Sequence, residues 1–230
     1  MTARIPTVEL HARTVGNIAA ELPDVTAVFR DCKLDFCCHG DLTLAAAAAQ
    51  RRALNIDAVE RALAALVADT PEAAVPMESA ALIDHIESRY HQVHRRALPE
   101  LIALSRKVEA VHRGHPKVPA GLCDVLQRME AKLESHMAEE ERELFPAMRQ
   151  QAVQKLDAPI LHLRQQHDEH GALLRQMEAL TEDFSPPDEA CRSWQALYVG
   201  AAQFAEDLME HIHLENNILF PRFATAQARI

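Results

Sequence analysis

Two stretches decide the fold: "HMAEEERELFP", His136–Pro146, and "HIHLENNILFP", His211–Pro221. Both read H-x3-E-x3-L-F-P. Four residues along a helix advance ~6 Å and turn ~40° past a full revolution, so His136 and Glu140 share one face, as do His211 and Glu215. Leu144 and Leu219 continue those faces and mark them as buried. A carboxylate on a buried face is costly unless a cation compensates it, and a metal ion is such a cation.

Each pair is preceded by a single histidine at a matching distance. "RYHQVH" supplies His91, 45 residues before His136, and "QQHDEH" supplies His167, 44 residues before His211. A helical hairpin is thus used twice: one histidine, then a returning helix with His-x3-Glu. Two such hairpins about a pseudo-twofold axis gather four histidines and two glutamates. That set suits two metals, each with two imidazoles, with the carboxylates between them. Imidazole with carboxylate suits iron, manganese or zinc and does not choose among them. A single H-x3-E pair is common by chance, and "AEEERE" alone reads as a solvated face. The repeat, with its L-F-P tail and upstream histidine, separates the site from those readings.

Other histidines are weaker candidates. His94 and His170 each lie three residues past a single histidine, on a similar face. They read either as groups orienting a ligand or as surface charge. His213 points ~200° from His211, and His85 lies well off the face of His91. Tyr90, beside His91, reads as packing.

Four helical stretches carry these residues: about 80–111, 119–149, 158–180 and 188–224. Pro99 is expected to kink or break the first. Apolar residues recur at three and four spacing, as in "LIDHIESRYHQVHRRAL", which with short connections predicts a four-helix bundle. Residues 1–70 read as short helices forming a separate small domain. Pro23 is placed as a first-turn proline, and Thr43 and Asp57 as caps. Residues 71–79, within the proline-bearing "DTPEAAVPMES", read as a linker, and 80–230 as the bundle. The fold class is all-α.

Composition agrees. The 230-residue chain is 48% hydrophobic with only 6 glycines, enough apolar material for a core and biased toward helix. A net charge of −10 argues against phosphate-seeking nucleic-acid binding. No apolar run reaches the ~18 residues of a membrane span, and the N-terminus lacks the apolar core of a signal peptide. A cytoplasmic protein with reduced cysteines is expected. The cysteine count of 5 excludes a fully paired disulfide framework.

Cys37 and Cys38 lie side by side in "DFCCHG", in a turn between two short helices. Neighbouring Cα atoms are ~3.8 Å apart, too close for an ordinary disulfide. The pair reads as reactive thiols, with a zinc site formed with Cys32 and His39, or structural thiols, as the alternatives. A protonated His39 or the helix after Thr43 would lower their pKa, and Asp35 and Asp41 would oppose that. Cys123 and Cys191 read as packed small residues.

The motifs "LDFCCHG", "RYHQVHRRALPELI", "SHMAEEERELFP", "QHDEHG", "PPDEACRSW" and "DLMEHIHLENNILFP" together resemble the iron–sulfur cluster repair di-iron proteins of the YtfE/ScdA type, over essentially the whole chain. The resemblance implies a hemerythrin-like bundle behind a small cysteine domain. It implies two non-haem irons, oxo- or hydroxo-bridged, on His91, His136, Glu140, His167, His211 and Glu215, with the glutamates bridging. It further implies repair of clusters damaged by nitrosative or oxidative stress through iron donation, with Cys37 and Cys38 as thiol partners. Iron–sulfur proteins would be the clients and nitric oxide or dioxygen the small ligands. Nitric oxide reduction at the same site and gas sensing are the alternatives, so enzyme status stays open. Neither nucleic acid nor membrane is an expected partner, and a homodimer through the small domain is compatible. Where related chains often read C-C-G-G, this one reads Cys37-Cys38-His39-Gly40. The turn therefore has to rely on Gly40 or on another conformation.

Overall fold

A computed structural model describes residues 10–22, 24–51, 54–69, 77–150 and 156–225. Among these there is no strand, only an isolated antiparallel bridge between Thr14 and Thr43. The expected linker lies mostly outside the described residues, as does Pro23. The chain divides into two compact units, Met1–Glu78 with Ile212–Ile230, and Ser79–His211.

The first unit contains α1 (Val15–Glu21), α2 (Val25–Asp31), α3 (Leu44–Ala49) and α4 (Ile56–Asp69). Thr14 caps α1 through Asn17 N–H, and Thr43 caps α3 through Ala46 N–H, as its sequence position predicts. The cap of α4 is Asn55, which accepts from Ala58 N–H at 3.2 Å, rather than Asp57. Asp57 sits inside the first turn, where its charge favours the helix dipole instead. Phe29, Phe36, Val15, Ile18 and Leu44 fill the core.

Between α2 and α3 the Cys37–Cys38 loop is tied to the start of α1. Gly16 N–H donates to Gly40 C=O at 2.8 Å, and Val15 N–H to Leu42 C=O at 2.9 Å. Neither His39 nor Gly40 takes a positive φ. The turn needs Gly40 for close approach instead: a Cβ there would lie 2.8 Å from Phe36 O and 3.1 Å from the Cα of Gly16.

The second unit is the bundle. Its first helix runs as α5 (Ser79–His85), a π-helical stretch Ile86–His91, and α6 (Gln92–Val111). Pro99 neither breaks nor ends α6. The second runs as α7 (Leu122–Glu139), a π-helical stretch Glu140–Leu144, and α8 (Phe145–Arg149). The third, α9 (Asp157–Leu180), is α-helical throughout, and the fourth is α10 (Arg192–His213), whose last residues, with the π-helical stretch Leu214–Leu219 that follows, belong to the first unit. Glu109 fixes the first hairpin. Its carboxylate accepts from Cys123 N–H at 2.7 Å and Gly121 N–H at 3.3 Å, satisfying donors that the start of α7 leaves open. Leu126, Met129, Leu133, Ile160, Leu163 and Met177 pack the interior.

Candidate metal centre

Helical periodicity carries His91, His136, Glu140, His167 and His211 to the inside of the bundle, and none is more than 1% exposed. His91 Nε2 lies 3.1 Å from His211 Nε2, and His136 Nε2 lies 3.0 Å from His167 Nε2. Two nitrogens bound at right angles to one cation, each ~2.1 Å from it, lie ~3.0 Å apart. Both spacings therefore match neighbouring ligands of a six-coordinate transition metal.

Glu140 stands between the two pairs. One of its oxygens is 3.5 Å from His91 Nε2 and 3.3 Å from His136 Nε2. His91, Glu140 and His211 bring ligand atoms within 4.8 Å of one another, and so do His136, Glu140 and His167. Glu215 follows His211 by one turn of a continuous helix and is buried.

The far sides of the imidazoles are held by partners that the sequence reading missed. His91 Nδ1 donates to Glu141 at 2.8 Å. Arg95 in turn donates to both oxygens of Glu141, at 2.7 and 3.1 Å. Burial alone would raise the pKa of Glu141, but the hydrogen bonds from Arg95 and His91 outweigh it and hold the carboxyl below its ordinary value. His136 Nδ1 donates to Gln166 Oε1 at 2.7 Å, and Gln166 Nε2 donates to Glu139 at 3.2 Å. With Nδ1 protonated, Nε2 is the lone-pair side, and it faces the partner imidazole. That is how ligating histidines are oriented. Arg95 stands one turn from His91, which is the local signal for it. Gln166 meets His136 across the bundle and leaves no such signal.

His94 and His170 are fully buried but fall outside both ligand groups. Burial and the nearby imidazoles push the His170 pKa well down, so it is neutral. The His94 ring packs 5.3 Å from His211 and 5.3 Å from Phe204. Tyr90 stacks on His211 at 5.6 Å with the rings 9° from parallel, the packing role its position predicts. Burial raises its pKa to about 12, so it stays a neutral phenol.

The profile of the hemerythrin HHE cation-binding domain matches residues 82–223, and a domain of unknown function termed ScdA_N matches residues 11–67. The iron–sulfur cluster repair protein YtfE of Dickeya chrysanthemi is 46% identical over 213 residues, covering 91% of this chain and 96% of that protein. Its counterparts in Salmonella paratyphi B and Salmonella newport are each 44% identical over 211 residues, covering 90% of this chain and 94% of theirs. The chain belongs to the YtfE family of hemerythrin-like proteins.

In this YtfE-type chain, Cys37 and Cys38 lie in the first unit, Cys37 buried and Cys38 half-buried, and none of the five cysteines forms a disulfide. Asn216 Nδ2 donates to Cys37 C=O at 2.9 Å, and Asn217 Nδ2 to Phe36 C=O at 3.0 Å, both within that unit. His213, also of the first unit, packs against Phe36 and falls outside the two histidine–glutamate groups. Burial lowers its pKa to about 4. Cys123 is buried as expected, but Cys191 is exposed, with its sulfur 3.2 Å from His112 Nε2. Its place before α10 leaves it on the rim rather than in the core.

Proposed function

We propose that this protein is a non-haem di-iron protein that repairs damaged iron–sulfur clusters by supplying iron. The observation that carries the reading is the pair of imidazole couples at 3.1 and 3.0 Å, flanking the buried carboxylate of Glu140. The YtfE proteins of Dickeya and Salmonella are named for cluster repair. Six residues would hold two irons: His91 and His211 on one, His136 and His167 on the other, with Glu140 and Glu215 bridging and an oxo or hydroxo group completing the bridge. Bound iron supplies redox capacity and open positions for a diatomic ligand such as nitric oxide or dioxygen.

The chain's own groups do the rest. Glu141 and Gln166 hold the Nδ1 protons of His91 and His136, keeping Nε2 free for metal. Glu140 balances cationic charge where water is excluded. Iron handed to a damaged cluster is cargo, and an iron–sulfur protein is its recipient. Cys37 and Cys38 serve as thiol partners to that traffic, because thiolates suit iron–sulfur chemistry. A cytoplasmic setting under nitrosative or oxidative stress is part of the same reading. No structural observation favours nitric oxide reduction or gas sensing over repair.

The test is reactivation of a cluster-dependent dehydratase in a nitric-oxide-treated extract. Wild-type protein is expected to restore activity and Glu140→Leu to fail. Equal restoration by both would remove the metal centre from the function.

A further inference from the structure

The loop that opens on Asp35 has the geometry of a second metal site. Cys37 Sγ and Cys38 Sγ are 3.7 Å apart, and Cys37 Sγ is 3.6 Å from Asp35 Oδ1. All three ligand atoms lie within 4.8 Å of one another. Two thiolates ~2.3 Å from one tetrahedral cation lie ~3.8 Å apart, and a thiolate and a carboxylate oxygen at ~2.3 and ~2.1 Å lie ~3.6 Å apart. The two measured edges are those of a tetrahedral ligand face.

We infer that Asp35, Cys37 and Cys38 form a mononuclear site for a thiophilic divalent transition-metal ion, with the fourth position open. The inference is independent of iron donation by the bundle and holds whatever metal the bundle carries.

The loop is built to present these atoms. Asp35 Oδ1 accepts from Cys38 N–H at 3.0 Å and His39 N–H at 3.4 Å, so the chain wraps its own carboxylate. Asp35 Oδ2 is held by His39 Nδ1 at 2.8 Å. That bond explains His39, which orients the carboxylate so that Oδ1 faces the sulfur, as partners of metal-bound carboxylates do. Asn216 and Asn217 fix the carbonyls of Cys37 and Phe36 from behind. Three ligands and an open position mark an exchangeable site rather than a closed structural one. Cys32 is not part of the group.

Cys37 is poorly set up as a nucleophile. The adjoining Cys38 sulfur and burial hold the Cys37 pKa well above its ordinary value, so Cys37 is protonated at neutral pH. A bound cation removes that proton outright. The step balances without redox chemistry. Two S–H bonds break, two metal–sulfur bonds form, and two protons pass to solvent.

The test adds cobalt(II) anaerobically to fully reduced protein whose bundle is already loaded with iron. One cobalt per chain is expected to bind, with a sulfur-to-cobalt charge-transfer band that imidazole and carboxylate ligands cannot produce. Two protons should be released, and Cys37 and Cys38 should be protected from alkylation. Cys37→Ser and Cys38→Ser should each abolish the band, Asp35→Asn should weaken binding about tenfold or more, and Cys32→Ser should leave it intact. The isosteric serines preserve packing, and alkylation protection in the wild type reads the site without any variant. A band that survives Cys38→Ser would overturn the inference. So would absence of the band with both thiols freely alkylated.

Discussion

Glu141→Gln tests whether the hydrogen bonds behind the ligands tune the metal centre one side at a time. The substitution keeps the shape of the side chain and an oxygen for His91 Nδ1, but removes the charge that His91 and Arg95 share at 2.7–3.1 Å. Replacing such a group costs about 10- to 100-fold in metal affinity, or about 1.4–2.8 kcal/mol. Glu141 is partly exposed and Arg95 keeps Glu134 at 2.8 Å, so global stability should change by less than about 1 kcal/mol. His136 leans on Gln166 instead, so under the proposed assignment a metal on His136 and His167 should be untouched. Iron release to a ferrous chelator, followed by stopped flow, should turn biphasic: one iron leaves about 10- to 100-fold faster and the other at the wild-type rate. Gln166→Leu should give the same pattern, and the double variant should loosen both irons. Uniform release of both irons from Glu141→Gln, or release within twofold of wild type, would refute the reasoning.

Three further outcomes follow from the same geometry. Stripping the metal should lower the melting temperature, because a ligand at 100 times its dissociation constant stabilises by about 2.7 kcal/mol. Glu140→Gln should raise the stability of the stripped protein while abolishing the metal-dependent gain, and calorimetry would contradict the account if that variant destabilised the stripped form. Gly40→Ala should destabilise the small unit by about 1–3 kcal/mol, since its new methyl meets the backbone of Phe36 and Gly16. Thermal melting unchanged from wild type would count against that packing. Asp35 is held below its ordinary pKa of 3.8: burial opposes ionisation, but the N–H donors of Cys38 and His39 and the His39 ring prevail. Its stabilisation is therefore complete above pH 3.8 and lost as pH falls through the depressed value. Asp35→Asn should flatten that part of the stability profile, and an identical acid limb in both proteins would contradict it.

The clustering of His91, His136, His167 and His211 with Glu140 was legible because its signal is local. His136–Glu140 and His211–Glu215 are one turn apart, and a repeat carrying an identical tail exposes a shared face. The π-helical stretches were not legible. Ile86–His91, Glu140–Leu144 and Leu214–Leu219 each hold a candidate ligand, yet their residues read as ordinary helix. Such bulges recur at functional sites because tertiary demands, not local propensity, sustain them. Pro99 does not break its helix: the local penalty on a proline is real, but the packed first bundle helix overrides it. The partners of His91 and His136 lie 50 and 30 residues away. The carboxylates of "AEEERE", and the paired glutamines of "RQQHDEH", look alike until the fold selects one of them. Asn55 displaced Asp57 as a cap for a smaller reason, a shift of two residues that propensity does not resolve. His39 was unexplained in the sequence, and its bond to Asp35 became visible only with the loop in place.

The most direct test of the central claim is metal analysis with the optical spectrum of anaerobically purified protein, taken before and after exposure to air. The account predicts about two irons per chain and an oxo-bridge absorption that His167→Ala loses together with one iron. Zinc alone in the purified protein, with no iron after anaerobic growth, would contradict it.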